Sequence, residues 1–306
     1  MTRISICLLA ALLVGCQSAP SQRTFDSPDA AVNSLVAALR ADNTKELNRI
    51  FGKDGKAVVS SGDAVADRNG YERFVQAYDA KHQLTPGADG GMTLTIGQGD
   101  WPFPVPIIQA DEGWVFDTAV GKDEILNRRI GQNELSTMQV CLAVVDAQRE
   151  YARLDPQRTG LPVYAKRIIS EPGKKNGLYW PAAAGEAPSP LGPLAARAAD
   201  EGYTGKRAAK GEAAPYHGYR YRLLTAQGPH AAGGAMDYLV AGHLLSGFGL
   251  LAYPAEYGSS GIMTFMINHD GTLYQKDLGP LTKQTESLTK FDPGEGWVQV
   301  QLAEAE

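Results

Sequence analysis

Glu256 and His217 fall at loops or strand ends next to aromatic residues. A carboxylate and an imidazole brought within hydrogen-bond reach work as an acid/base pair. Tyr179, Trp180, Tyr216 and Tyr257 fall in similar places and would line a binding surface around that pair. The plainer reading is an aromatic rim with a solvated glutamate. Gly258-Ser259-Ser260-Gly261 is one residue short of the G-x-S-x-G nucleophile elbow and reads as a small-residue turn. The five histidines are His82, His217, His230, His243 and His269. No two have the spacing of ligands on one helix, and no cysteine pair accompanies them, so no metal site is expected. His230 and His269 read as surface residues, His243 as a packed one. Gly97-Gln98-Gly99 has neither the later glycine nor the lysine of a phosphate loop. No cofactor is expected. Cys141 sits in an apolar helical stretch and reads as a small core residue.

Cys16 belongs to different chemistry. Met-Thr-Arg is followed by the apolar run Ile4 to Val14, then Gly15-Cys16. Eleven helical residues at ~1.5 Å each fall short of the ~30 Å hydrocarbon core, so the run is a signal-peptide segment. Leu13-Val14-Gly15-Cys16 matches the bacterial lipobox, so residues 1–15 are expected to be cleaved and Cys16 to carry lipid. Two or three acyl chains, at ~0.8 kcal/mol per buried methylene, hold a protein stably on a membrane. Gln17 follows, where inner-membrane lipoproteins carry Asp. In a double-membraned cell this points to the periplasmic face of the outer membrane. Residues 16–24 read as a lipidated tether.

The mature chain would have 291 residues, enough for two ordinary domains. Net charge is −5 with both signs mixed, which argues against a nucleic-acid partner. With Cys7 removed and Cys16 lipidated, Cys141 has no intrachain partner.

Ser27-Pro28-Asp29 opens a helix carrying Val32, Leu35, Val36 and Leu39 on one face. Further helices fit 44–51 and 64–82. Strands follow at 92–96, 101–108 and 114–118, the middle one bulged or at an edge because Pro102, Pro104 and Pro106 deny it donors. These make an α+β domain over 25–120. Residues 122–153 form a long helix with Leu135, Met138, Leu142 and Val145 along one face, and Gly131 marks a bend or junction. Arg128-Arg129 on it either pairs with acids at a domain junction or is a solvated face. The second domain, 121–306, packs this helix on an antiparallel meander: strands fit 218–226, 235–240, 247–253, 261–268, 272–277 and 297–302. Between them, 171–215 is an excursion in which 25 of 45 residues are Pro, Gly or Ala. It keeps Leu178-Tyr179-Trp180, so it should fold back on the body and cover part of the sheet face opposite the helix.

Several stretches resemble domain-of-unknown-function family 2950: Trp101-Pro-Phe-Pro-Val-Pro, Trp114 to Gly121, Glu124 to Glu134, Gly177 to Pro181, Ser189 to Leu194, Tyr216 to Gly228 and Pro254 to Phe265. The resemblance spans nearly the whole mature chain. It implies an envelope protein, brings no catalytic residue and hints at an envelope protein partner. The helix and meander of the second half also resemble the globular part of type IV pilin-like proteins, a likeness of fold alone. The leading expectation is therefore a non-enzymatic, envelope-anchored binding or assembly lipoprotein. The alternatives are an envelope hydrolase or glycan-modifying enzyme using Glu256 and His217, and a carrier holding a small apolar or glycan ligand behind Trp101 and Trp114.

Overall fold

The computed structural model describes residues 22–87, 90–203, 214–280 and 288–301. The signal segment and Cys16 lie outside them. Among the described residues no helix is long and apolar enough to cross a membrane. The fold is α+β, with antiparallel sheets.

Four helices come first: α1 (Pro28–Arg40), α2 (Thr44–Phe51), α3 (Gly55–Val59) and α4 (Ala64–Ala80). Ser27 Oγ accepts from Ala30 N at 3.1 Å and Asn43 Oδ1 from Glu46 N at 3.1 Å, so α1 and α2 start on side-chain caps. α4 stops two residues before the sequence suggests. Lys81 is already extended, and His82 opens a strand opposite Ile96 while its ring stacks on Tyr78 at 3.8 Å. The strands are β1 (His82–Pro86), β2 (Met92–Ile96), β3 (Trp101–Pro102), β4 (Ile107–Ala110) and β5 (Gly113–Phe116). They run in the order β1-β2-β4-β5, with β3 also on β2. The proline-rich stretch is thus bulged, and Phe103 and Val105 between its two strands turn into the core. Phe51, Phe103 and Phe25 each pack against Phe116, at 5.4, 6.3 and 6.5 Å between ring centres. Rings fill the interior where the carrier reading needs a cavity.

Helix α5 (Thr118–Leu154) has 37 residues and is ~55 Å long. It begins four residues before the periodicity suggests, capped by Asp117, and runs straight through Gly131 without a junction. Of the expected face, Val145 is buried and Met138 and Leu142 pack against the core, but Leu135 is exposed; the stripe is wider and more polar, with Asn133, Thr137, Val140, Cys141, Val144, Gln148 and Tyr151 also facing inward.

The second sheet contains β6 (Tyr219–Leu224), β11 (Gly249–Pro254), β12 (Met263–Asn268), β13 (Leu273–Asp277) and β14 (Val298–Gln299), ordered β14-β13-β12-β11-β6. The remaining strands are two-residue pairs, β7 (Ala226–Gln227) with β8 (Met236–Asp237) and β9 (Leu239–Val240) with β10 (His243–Leu244). The strand expected over 235–240 is divided at Tyr238, whose side chain is fully buried. Tyr219, Leu250, Ala252, Phe265 and Ile267 pack on Val140, Cys141 and Val144 of α5. The opposite face holds Leu224, Leu251 and Met266 under Phe291 and Ala231. The excursion packs on the α5 side, a correction to the expected placement: Leu178, Trp180 and Leu191 join the α5 core. Trp180 meets Tyr151 edge-on at 6.3 Å and Tyr151 Oη donates to Lys175 O at 2.7 Å, which binds the excursion to the last turns of the helix. Helix α6 (Gly192–Asp200) lies within it.

Gly121 is where α5 meets the first sheet: a Cβ there would sit 2.5 Å from Pro104 O and 2.6 Å from Val105 Cγ2. Overpacking of this kind costs about 1–3 kcal/mol. Gly121→Ala is expected to lower the urea midpoint accordingly, while Gly131→Ala, with nothing nearby, leaves it unchanged or higher.

Candidate functional site

Among the described residues, polar contacts between segments more than a hundred residues apart gather where the first α+β unit meets the second sheet. Asp63 lies at the start of α4 and is 2% exposed. Its Oδ1 accepts from Val65 N at 3.2 Å and Ala66 N at 3.1 Å, capping the helix. Its Oδ2 accepts from Tyr203 Oη at 2.8 Å and Gly218 N at 2.9 Å. The turn reaches Asp63 because His217 and Gly218 both have left-handed backbones, φ +50 and +73. A Cβ at Gly218 would lie 2.6 Å from Asn133 Nδ2, so only glycine fits. Asn133 Nδ2 donates to Ser260 O at 2.8 Å, and Glu134 Oε1 accepts from Ile262 N and Met263 N at 3.0 Å.

Arg129 enters the seam from α5. Its guanidinium donates to Val58 O, to Ala57 O at 3.0 Å and to Ser60 O at 3.3 Å, the carbonyls that end α3, and to Ser259 Oγ at 3.4 Å. Ser259 Oγ in turn donates to Ser60 O at 3.1 Å. Burial lowers the Arg129 pKa, opposed by the fields of Asp67 and Glu256. Asp67 accepts from Ser61 N and Oγ, and burial raises its carboxyl above the ordinary value in spite of those bonds. Arg128 turns outward to Glu124 and lies 5.0 Å over Trp101. Arg129 therefore reaches the junction, but its direct partners are carbonyls and a hydroxyl.

The residues singled out by type are only partly brought together. The rings of Tyr216 and His217 lie 4.1 Å apart, tilted at 45°, and Tyr203 meets them edge-on at 4.9 and 6.0 Å. His217 Nε2 lies 3.4 Å from Glu201 Oε2. Burial depresses its pKa, against the opposing pull of Glu201 and Asp63. Burial likewise pushes the Tyr216 hydroxyl up to about 12. Glu256 is exposed, and its side chain lies over Gly62, next to Asp63. Ala255 N donates to Gly218 O at 2.8 Å, so Glu256 and His217 flank paired backbone, while the His217 ring faces Glu201. Ser260 is buried, with Oγ accepting from Glu256 N at 2.9 Å. Tyr257 Oη donates to Asp277 at 3.0 Å. Tyr179 and Trp180 belong to the excursion and the α5 core.

Cys141 is fully buried, and burial pushes its thiol up to about 12, away from nucleophilic chemistry. His230 is exposed and pairs with Asp292 at 3.0 Å. His243 is half-buried, and so is His269, whose ring lies 5.6 Å from Tyr238 and 6.3 Å from Phe248. Among the described residues no three His, Cys, Asp or Glu side chains are placed to hold a metal ion. Type and spacing did not single out Asp63, Asn133, Glu134, Glu201 or Tyr203. The one local signal is Asp63 directly ahead of Ala64, a residue type favoured at a helix N-cap.

Two measurements test the seam. Arg129→Met leaves the α3 carbonyls without their donor and is expected to cost about 3 kcal/mol in urea unfolding, with Arg129→Lys recovering part of it. His217 is held neutral, with its folded pKa below the ordinary 6.5. Its contribution is therefore present above pH 6.5 and is lost as pH falls through the depressed value. His217→Asn keeps a residue suited to positive φ and should flatten the fall in urea midpoint between pH 7.5 and 5.5.

No curated protein and no solved structure matches the chain. A family model does, that of "Protein of unknown function (DUF2950)", over residues 22–300, so the chain belongs to that family.

Proposed function

We propose that this protein is an envelope lipoprotein, held to a membrane by acyl chains on Cys16, whose body is a non-enzymatic binding or assembly module. The observation that carries the reading is how the seam spends its polar groups. Asp63 takes four donors, Arg129 closes α3, and Glu134 and Ser260 bond backbone groups. Groups so committed fasten parts of the chain together. On this reading the body is two small domains, 25–120 and 121–306, joined by α5, and the second resembles the globular part of pilin-like proteins. Five residues, 17–21, would separate Cys16 from the first described residue, six chain steps with a reach of at most ~22 Å. Gln17 favours the periplasmic face of the outer membrane. A groove of about 470 Å³ between α1 and α4, with Leu39, Tyr71 and Val75 beside Arg40, Arg68 and Glu72, offers a partner an apolar strip with a charged rim.

One observation favours a hydrolase or glycan-modifying reading: Glu256 and His217–Gly218 both reach the Gly62–Asp63 loop, and His217 is held in its basic, neutral form.

Crosslinking of intact cells carrying a tagged copy, with Cys16→Ala as the unanchored control, separates the two. A single protein recovered near stoichiometry and lost in the control is the expected outcome. Absence of a protein partner, with a change in envelope glycans on Glu256→Gln, would favour the enzyme.

A further inference from the structure

The end of the molecule remote from Gln22 carries a surface of a different kind. Strands β9 and β10 form a hairpin turned by Ala241 and Gly242, at φ +49 and +80. Two left-handed residues make the tight turn that ordinarily takes Asn or Asp before Gly. Alanine there puts no polar side chain on the turn itself; His243 lies opposite Val240, and the exposed Asp237 accepts from Leu239 N at 2.8 Å. Leu239 is 36% and Val240 47% exposed. The base of the hairpin is fixed. Leu244 is fully buried, Tyr164 N donates to Leu244 O at 2.8 Å, and Tyr238 Oη donates to Gln227 Oε1 at 2.8 Å. A stiffly held apolar tip has no way to fold back and hide its side chains from water.

The chain beside it supplies cations. Lys166 Nζ donates to the turn itself, at Gly242 O, 2.9 Å. On the same segment Arg158 and Leu161 are exposed. Residues 151–170 carry Arg153, Arg158, Lys166 and Arg167 and one acid, Asp155; Glu150 and Glu171 flank the stretch, and Glu171 pairs with Arg167 at 2.9 Å, which leaves Arg158 and Lys166 as the cations the contact uses. Asp155 spends both oxygens on Thr159 N and Gly160 N. Exposed Leu and Val side chains flanked by cations are what an anionic bilayer recognises: acyl chains for the first, headgroup phosphates for the second.

We infer that the β9–β10 hairpin docks on an anionic lipid surface, with Leu239 and Val240 in the acyl boundary and Arg158 and Lys166 at the phosphates. The contact goes beyond the binding-module reading and does not need the acyl anchor. It also sets an orientation. Gln22 is bonded to Phe116 O beside the first turn of α5, and Ala165 is bonded to Gln148 near the last. The thirty residues from Thr118 to Gln148 span ~45 Å. A chain that touches one membrane at both places lies with α5 along it.

The test uses the full mature chain carrying Cys16→Ala, floated with vesicles of phosphatidylglycerol and phosphatidylethanolamine or of phosphatidylcholine alone. Flotation with the anionic vesicles only is expected. Leu239→Ser with Val240→Ser, and Arg158→Glu with Lys166→Glu, should each weaken it at least tenfold at an unchanged urea midpoint. A second readout does not rest on loss of binding. In the same chain carrying Val240→Cys, an environment-sensitive dye labels position 240, since Cys141 is buried, and its emission should shift to the blue on anionic vesicles. No flotation, equal flotation with neutral vesicles, undiminished binding of both variants, or an unshifted dye overturns the inference. Capture of a protein at this tip in place of lipid does so too.

Discussion

A carboxylate taken out of water must have its hydration replaced, and at Asp63 the replacement comes from three separate parts of the chain. Its own helix supplies two N–H groups, the end of the excursion supplies the Tyr203 hydroxyl, and the turn before β6 supplies the Gly218 N–H. No one of these segments satisfies the charge by itself. The first α+β unit, the excursion and the second sheet must therefore be in place together, which makes this contact cooperative in a way that apolar packing of the same area is not. Arg129 repeats the arrangement with the opposite charge. Its donors end α3 and reach the Ser259 turn, so one side chain of α5 holds both neighbours.

Helix α5 is the element common to these contacts. Along its length it meets the first sheet at Gly121, the seam at Arg129 and Asn133, the meander at Val140 to Val145, the segment around Ala165 at Gln148, and the excursion at Tyr151. An apolar stripe alone tolerates rotation and sliding by a turn. Asn133, Glu134 and Gln148 bond particular backbone groups, and those bonds exist at only one rotation and one register.

That same use of polar residues explains what could be read in advance. The helices and strands with an apolar face were legible, because periodicity reports the face directly: Val32, Leu35 and Val36 of α1 are buried, and Tyr219 and Tyr221 of β6 face α5 opposite Arg220 and Arg222. On α5 an apolar periodicity puts Leu135 on the buried stripe, because Asn133, Thr137 and Gln148 count as outward-facing by type although they are buried. The seam was scarcely legible. Asp63 and Gly218 are 155 residues apart, and Ser60 and Ser259 are 199 apart. Nothing local in either segment announces the other. The excursion was recognised as folded back from Leu178 and Trp180, but its side of the sheet depends on Tyr151, a contact that composition does not encode.

The first described residues are bound more firmly than their sequence suggests. Arg23 N donates to Arg49 O at 2.8 Å, Gln22 Nε2 reaches Ile50 O at 3.0 Å and Phe116 O at 2.7 Å, and Phe25 exchanges both backbone hydrogen bonds with Trp114. These bonds lie side by side, not in series. Tension on the chain ahead of Gln22 is shared among α2, β5 and the start of α5 before any of it reaches α1. A tug at this end loads the whole fold in shear, where a looser leader would let the first helix peel away.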